Sequence, residues 1–245
     1  MSGSRSVLIT GAAQRIGAAC ARLLHAHGYN VIVHYNSSEQ AALALVAELN
    51  ALRHESVVGI QADLLNSTEL MQLAAKSQDQ WGGLDVLINN ASLFFPQTVA
   101  DTTEHSWNAL MGSNLKAPFF LAKAVANSLR SRQGGIVNII DIHSERGLPG
   151  YPVYSIAKAG LEAMTLVLAK ELAPEIRVNG VSPGAILWPT EGNTVDRQLE
   201  ILRRIALQRQ GDPVDIAKAV LYLCRDADYV TGQILKVDGG RSLFC

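Results

Sequence analysis

Short runs of consecutive apolar residues recur along the chain, each followed by a longer stretch rich in alanine and leucine. The runs lie at residues 7–10, 31–35, 56–61, 86–89, 136–140, 176–181 and 234–237. They are continuous rather than alternating, which is the pattern of strands covered on both faces, as in a parallel sheet. Between them, residues 16–27, 39–53 and 67–80 carry apolar side chains at helical spacing and predict helices with one buried face. Strand and helix in strict succession imply right-handed crossovers. The pattern therefore predicts one α/β domain over residues 1–245, a Rossmann-type, doubly wound, seven-stranded parallel sheet flanked by helices. No repeat, low-complexity tract or linker interrupts it. One long connection, at about residues 184–197, contains Pro189 and Gly192, and such a loop in an α/β domain is usually a functional lid or a disordered stretch.

Composition narrows the class of function. Of 245 residues, 48% are hydrophobic and 18% charged, with a net charge of -1. That balance supports a large core and gives no basic face for nucleic acid. No apolar stretch reaches the ~18 residues that a bilayer span needs. The polar opening at residues 1–5 does not read as a secretory signal. Cys20, Cys224 and Cys245 are scattered, and form neither a disulfide framework nor a metal cluster. The expectation is a cytoplasmic protein acting on a small molecule, without metal, membrane or nucleic acid.

Candidate chemistry begins where the first strand meets the first helix. Thr10-Gly11-Ala12-Ala13-Gln14-Arg15-Ile16-Gly17 places small residues at the turn, so that N–H groups at a helix start can approach a pyrophosphate. Gly17 permits close packing of helix on strand. The second strand ends in His34-Tyr35-Asn36-Ser37-Ser38, with no carboxylate before Glu39. A carboxylate there would accept from a ribose 2′-hydroxyl and repel a 2′-phosphate, so its absence favours NADP over NAD. Hydroxyls and amides can bind the phosphate, and Arg15 or His34 can add positive charge. Further along, Tyr154 and Lys158 stand four apart at the head of a helical stretch and share one face. An ammonium near a phenol lowers its pKa, which would make Tyr154 a usable acid/base near neutral pH.

These motifs together resemble the short-chain dehydrogenase/reductase family, from about Val7 to Gly240. The resemblance implies that Tyr154 moves the proton and that Lys158 also holds the nicotinamide ribose. Asn114 would bend its helix and hold a water near the lysine. Asp63 and Leu64 would meet the adenine, while Asn90, Ala91, Pro183 and Gly184 would flank the cofactor. Two departures are informative. Arg15 replaces the middle glycine of the cofactor turn, and Asp141 stands thirteen residues before Tyr154, where most members carry serine. Both departures are similar to the pteridine reductases, as is Asn89-Asn90-Ala91-Ser92-Leu93-Phe94.

That subgroup implies an NADPH-dependent reduction of a dihydropterin or dihydrofolate. Arg15 would reach both cofactor and substrate, Phe94 would stack the pterin on the nicotinamide, and Ser92 would offer a hydroxyl. Asp141 would assist protonation of a ring nitrogen, and Leu187 would form part of the pocket wall. The family also implies a homotetramer, built through the helices after Thr103 and Tyr154. Two other readings compete: a carbonyl reductase of the same fold, acting on a 3-oxoacyl thioester or other ketone, and a non-catalytic NADP-binding protein.

Overall fold

A computed structural model describes residues 4–188 and 194–244. Its centre is the expected sheet of seven parallel strands in the order β3-β2-β1-β4-β5-β6-β7. Along the chain, β1 (Ser6–Ile9), α1 (Arg15–Ala26), β2 (Asn30–Tyr35), α2 (Glu39–Leu52), β3 (Val57–Gln61) and α3 (Ser67–Gln78) build one half. There follow β4 (Val86–Asn89), α4 (Glu104–Met111), α5 (Ala117–Ser131), β5 (Gly135–Ile139) and α6 (Pro152–Glu171). The chain then forms β6 (Arg177–Pro183), α7 (Val195–Arg203), α8 (Pro213–Arg225) and β7 (Ile234–Val237).

Continuous apolar strands are explained by two cores, one on each face of the sheet. Val7, Ile9, Val31 and Val33 point towards α1, α2 and α8, where they meet Leu24, Leu45 and Val220. Their neighbours Leu8 and Ile32 point the other way, towards α3, α5 and α6, and meet Leu73, Leu121 and Leu161. Side chains alternate across a strand, so both sets must be apolar when both faces are covered.

Boundaries differ from the sequence expectation where tertiary packing sets them. β6 continues two residues to Pro183, which pairs with Val237, because β7 lies alongside and extends the ladder. α6 starts at Pro152 rather than after Tyr154, so the Tyr154–Lys158 pair lies wholly inside the helix. The expected 184–197 connection ends earlier, since α7 begins at Val195 with Thr194 accepting from the Arg197 N–H. Pro189 and Gly192 lie outside the described residues.

A buried polar chain fixes α6 on the sheet. Asn89 Nδ2 donates to Asn138 Oδ1, Asn138 Nδ2 donates to Thr165 Oγ1, and Thr165 Oγ1 donates to the Leu161 carbonyl, each at 2.8 Å. Because every member is satisfied, the network is specific rather than destabilising. It ties β4, β5 and the helix that carries Tyr154 into one unit.

Candidate active site

The order of strands reverses between β1 and β4, so the loops that follow them turn to opposite faces. A crevice opens at such a switch point. Here it is a cleft of about 620 Å³ that gathers residues from most of the chain. Gly11, Arg15, Ile16, Gly17, His34, Asn36, Ser37, Ser38, Asp63 and Leu64 line one half. Asn90, Ala91, Ser92, Phe94, Asp141, Tyr154, Lys158, Pro183, Gly184 and Leu187 line the rest. Among the expected site residues, Asn114 is the exception, because it is fully buried beneath the cleft wall.

The first half fits a dinucleotide. α3, α4, α7 and α8 each begin with a side-chain cap, from Asn66, Thr103, Thr194 and Asp212. α1 and α2, which start on this half of the cleft, have none: neither Gln14 nor Ser38 caps its helix. The first turn of α1 also carries no acidic residue. Helix starts present N–H groups and a partial positive charge, and leaving them uncapped in a cleft suits phosphate groups. A Cβ at Gly17 would stand 2.4 Å from the Gly11 carbonyl oxygen and 2.7 Å from Asn90 Nδ2. Only glycine lets the helix dock this closely. Arg15, in the place of the usual glycine, takes φ 54°. That left-handed conformation costs a non-glycine residue roughly 1–2 kcal/mol, so the guanidinium is kept against a backbone penalty.

His34 does not supply the charge expected of it. It is buried, its Nδ1 accepts from the Gly11 N–H at 3.0 Å, and Nε2 lies 3.1 Å from the Ala62 carbonyl oxygen. Accepting at Nδ1 requires a neutral ring with its proton on Nε2. Burial drives its pKa down to about 4, against smaller opposing effects from Ala62 and Asp63. His34 is thus a neutral brace between three strand ends, while Arg15, Asn36, Ser37 and Ser38 line the cleft beside it.

In the other half, Tyr154 Oη donates to Asp141 Oδ2 at 2.8 Å, and Asp141 Oδ1 accepts from the His143 N–H at 2.8 Å. The carboxylate is therefore fixed by both oxygens. Lys158 is fully enclosed, donates to the Ile139 carbonyl at 2.8 Å, and stands 5.8 Å from the centre of the Tyr154 ring. The expected lowering of the phenol pKa is not what this arrangement produces. Burial and the facing Asp141 carboxylate both disfavour phenolate and push Tyr154 well above its ordinary value. Burial also lowers Lys158 to about 8, with Asp141 opposing. Tyr154 is consequently a protonated phenol near neutral pH. Ser144 does not line the cleft: its hydroxyl is engaged by Glu162 and the Asp141 carbonyl.

Asn114 lies in a π-helical turn, Gly112–Lys116, between α4 and α5. Such turns are common at functional sites. Its Oδ1 accepts from Ser92 Oγ at 2.6 Å, and its Nδ2 donates to the Leu93 and Leu110 carbonyls at 3.0 and 2.9 Å. Through these bonds Asn114 positions the 92–94 loop. Phe94, on that loop, stacks on Tyr151 with centroids 4.5 Å apart and planes 7° apart, and meets the Tyr154 ring edge-on at 4.8 Å. Tyr151 covers one face of the ring, and the residue remains 48% exposed. Phe95 packs with Leu110, Val153 and Tyr154 in a small core. Sequence reasoning missed Tyr151, His143, Arg197 and Arg241, which all line the cleft. Tyr151 stood three residues before Tyr154 and was findable by helical spacing; the two arginines lie on separate elements and gave no local signal.

A doubly wound sheet with uncapped helix starts at its switch point and an enclosed Tyr-Lys pair defines a dinucleotide-dependent oxidoreductase. Comparison with known proteins agrees. The family model described as Enoyl-(Acyl carrier protein) reductase matches residues 11–242. Pteridine reductase 1 of Leishmania tarentolae is 38% identical over 96% of both chains. The 3-oxoacyl-[acyl-carrier-protein] reductase FabG of Staphylococcus epidermidis is 37% identical, over 97% of this chain and 98% of its own. A 3-oxoacyl-[acyl-carrier-protein] reductase of Synechocystis sp. is 38% identical, over 97% and 96%. The chain belongs to the short-chain dehydrogenase/reductase family, whose reductases use nicotinamide cofactors. No described helix is long and apolar enough to cross a membrane.

Proposed function

We propose that this protein reduces a dihydropterin or dihydrofolate to its tetrahydro form with NADPH. Overall identity does not separate a pteridine reductase from a 3-oxoacyl-carrier-protein reductase, since both relatives are about equally similar. The observation that carries the reading is the carboxylate of Asp141, 2.8 Å from the Tyr154 hydroxyl. A carbonyl oxygen gains negative charge as it is reduced, and a carboxylate beside it would oppose that charge. A ring nitrogen gains positive character as it is protonated, and the same carboxylate favours it.

When bound, NADPH would supply a hydride for the carbon of the C=N bond. The uncapped starts of α1 and α2, with Arg15, Asn36, Ser37 and Ser38, would hold its phosphates, and Lys158 its nicotinamide ribose. Asp63, Leu64, Asn90, Ala91, Pro183 and Gly184 would form the walls around it. Tyr154 gives its proton to the ring nitrogen and regains one from solvent. Asp141 orients the phenol before transfer and faces the nitrogen afterwards. The exposed part of the Phe94 ring would offer an aromatic contact worth ~0.5–1.5 kcal/mol beyond burial. Ser92 and Leu187 complete the pocket. Exposed apolar side chains on the helices α4 to α6, among them Trp107, Phe119, Phe120, Leu166 and Val167, support a homotetramer built through that face.

A substrate panel tests the reading. NADPH and NADH oxidation would be followed with dihydrobiopterin, dihydrofolate, a 3-oxoacyl thioester and a simple ketone. The expected result is turnover of a pterin with higher kcat/KM for NADPH. Turnover of thioester or ketone with no pterin reduced would replace this assignment by the carbonyl-reductase reading. No turnover of any substrate would favour a non-catalytic binding protein.

A further inference from the structure

We infer that His34 is the positioning residue for the adenosine half of the cofactor site: it joins the phosphate turn to the Asp63–Leu64 wall without itself holding the cofactor. The inference rests on the dinucleotide reading above and is independent of the pterin. The turn that leaves β1 is held from two sides. On the β4 side, Asn90 Nδ2 donates to the Thr10 and Gly11 carbonyls at 2.8 and 3.0 Å. On the β2 side, His34 takes two N–H groups. Gly11 donates to its Nδ1 at 3.0 Å, and Ala12 donates to its backbone carbonyl at 2.9 Å. Those two N–H groups are spent inside the protein, so a pyrophosphate must be met by the uncapped first turn of α1. The direction of that turn is set by the segment His34 holds.

The opposite ring nitrogen serves the other wall. His34 Nε2 donates to the Ala62 carbonyl at 3.1 Å, and Asp63 and Leu64 follow directly in the cleft lining. Ala62 also donates to the Tyr35 carbonyl at 3.0 Å, so both of its polar groups are pinned to the end of β2. Between the two walls the His34 side chain is buried. An imidazole with an acceptor on one edge and a donor on the other meets both demands at once. The turn has little room to settle elsewhere. Gly11 takes φ 61°, and a Cβ on it would stand 2.9 Å from Ala91 Cα. Without the ring, a buried N–H and a buried carbonyl lose their partners and both walls slacken. Tyr154, Lys158 and Asp141 lie in the other half of the cleft, so affinity for the cofactor should suffer and the chemical step should not.

The test compares wild type with His34→Leu, His34→Asn and His34→Gln. Dissociation constants for NADPH and NADH would be measured by fluorescence titration and for 2′,5′-ADP by calorimetry. Steady-state kinetics would use whichever substrate of the panel is turned over. His34→Leu should raise the NADPH and NADH constants by the same factor, about five- to thirtyfold, with 2′,5′-ADP weakened in step. The KM for the cofactor should follow, while kcat at saturating cofactor stays within about twofold. Asparagine keeps an acceptor for Gly11 and glutamine a donor for Ala62, so each should recover part of the affinity. If the leucine variant does not fold, these two, each with one bond kept, decide by the same measures. A loss confined to NADPH would make His34 a direct contact of the 2′-phosphate and overturn the inference. Unchanged constants in every folded variant, or a kcat that falls as far as the affinity, would also overturn it. A wild type that binds neither nucleotide would refute the dinucleotide reading itself, before any variant is compared.

Discussion

Tyr154 and Asp141 share one proton between a phenol and a carboxylate 2.8 Å apart, with the phenol holding it. Burial and that carboxylate raise the phenol pKa, so under the proposed pterin reading reduction would start from a stable donor and draw on the basicity of the substrate nitrogen. Tyr154→Phe should keep NADPH binding and lose about 10²-fold or more in kcat, the usual scale for a general acid. Single-turnover kinetics alongside cofactor titration would check it, and a near wild-type kcat would refute the role. Asp141→Ser removes the charge that opposes a carbonyl. It should reduce pterin turnover by more than any residual ketone turnover, so the ratio of the two kcat/KM values is the measurement.

Among the elements, β2 shows how a buried group couples the site to pH. His34 has its pKa lowered to about 4, so the unfolded chain takes up a proton below about 6.5 that the folded one refuses. Stability from this residue is fully present above pH 6.5, falls as pH drops, and is lost by about pH 4. The integrated loss is on the order of 3 kcal/mol. In urea melts at pH 7 and pH 4.5, wild type should lose more stability than His34→Gln, so the gap between them should narrow in acid. A gap independent of pH would show that the ring is not held neutral. The same residue explains why the strand end was only half legible. A histidine at the mouth of a phosphate site reads as a cation until the Gly11 N–H is found on its Nδ1.

At the scale of the whole molecule, the two cores leave the outward face of α4 to α6 with large apolar side chains in solvent. Phe119 and Phe120 meet edge to face at 5.5 Å and are 43% and 42% exposed. Adjacent apolar residues on neighbouring helices are the usual mark of an interface. Light scattering should give the mass of a tetramer, and Phe120→Arg should lower it, with loss of activity following loss of assembly. A monomer in the wild type would contradict the proposed assembly.

What the sequence determined by itself were the features written in local pattern. Unbroken apolar runs specify a sheet covered on both faces, and the Gly11–Gly17 turn, the Tyr154–Lys158 spacing and Asp141 at thirteen residues before Tyr154 mark the cleft. Each depends on neighbours close in the chain, so a linear reading reaches it. The tertiary structure decided everything that depends on dielectric surroundings and on groups distant in sequence. Lys158 was expected to lower the Tyr154 pKa, but the two are enclosed together beside Asp141, and burial and that carboxylate raise it. Asn114 is joined to Ser92 and Leu93, more than twenty residues back in the chain, and so fixes the 92–94 loop. Tyr151 covers one face of Phe94, and Arg197 and Arg241 reach one rim from α7 and from the turn after β7, some forty residues apart. Charge and aromatic contact act through space, and the fold is what brings these groups within reach of one another.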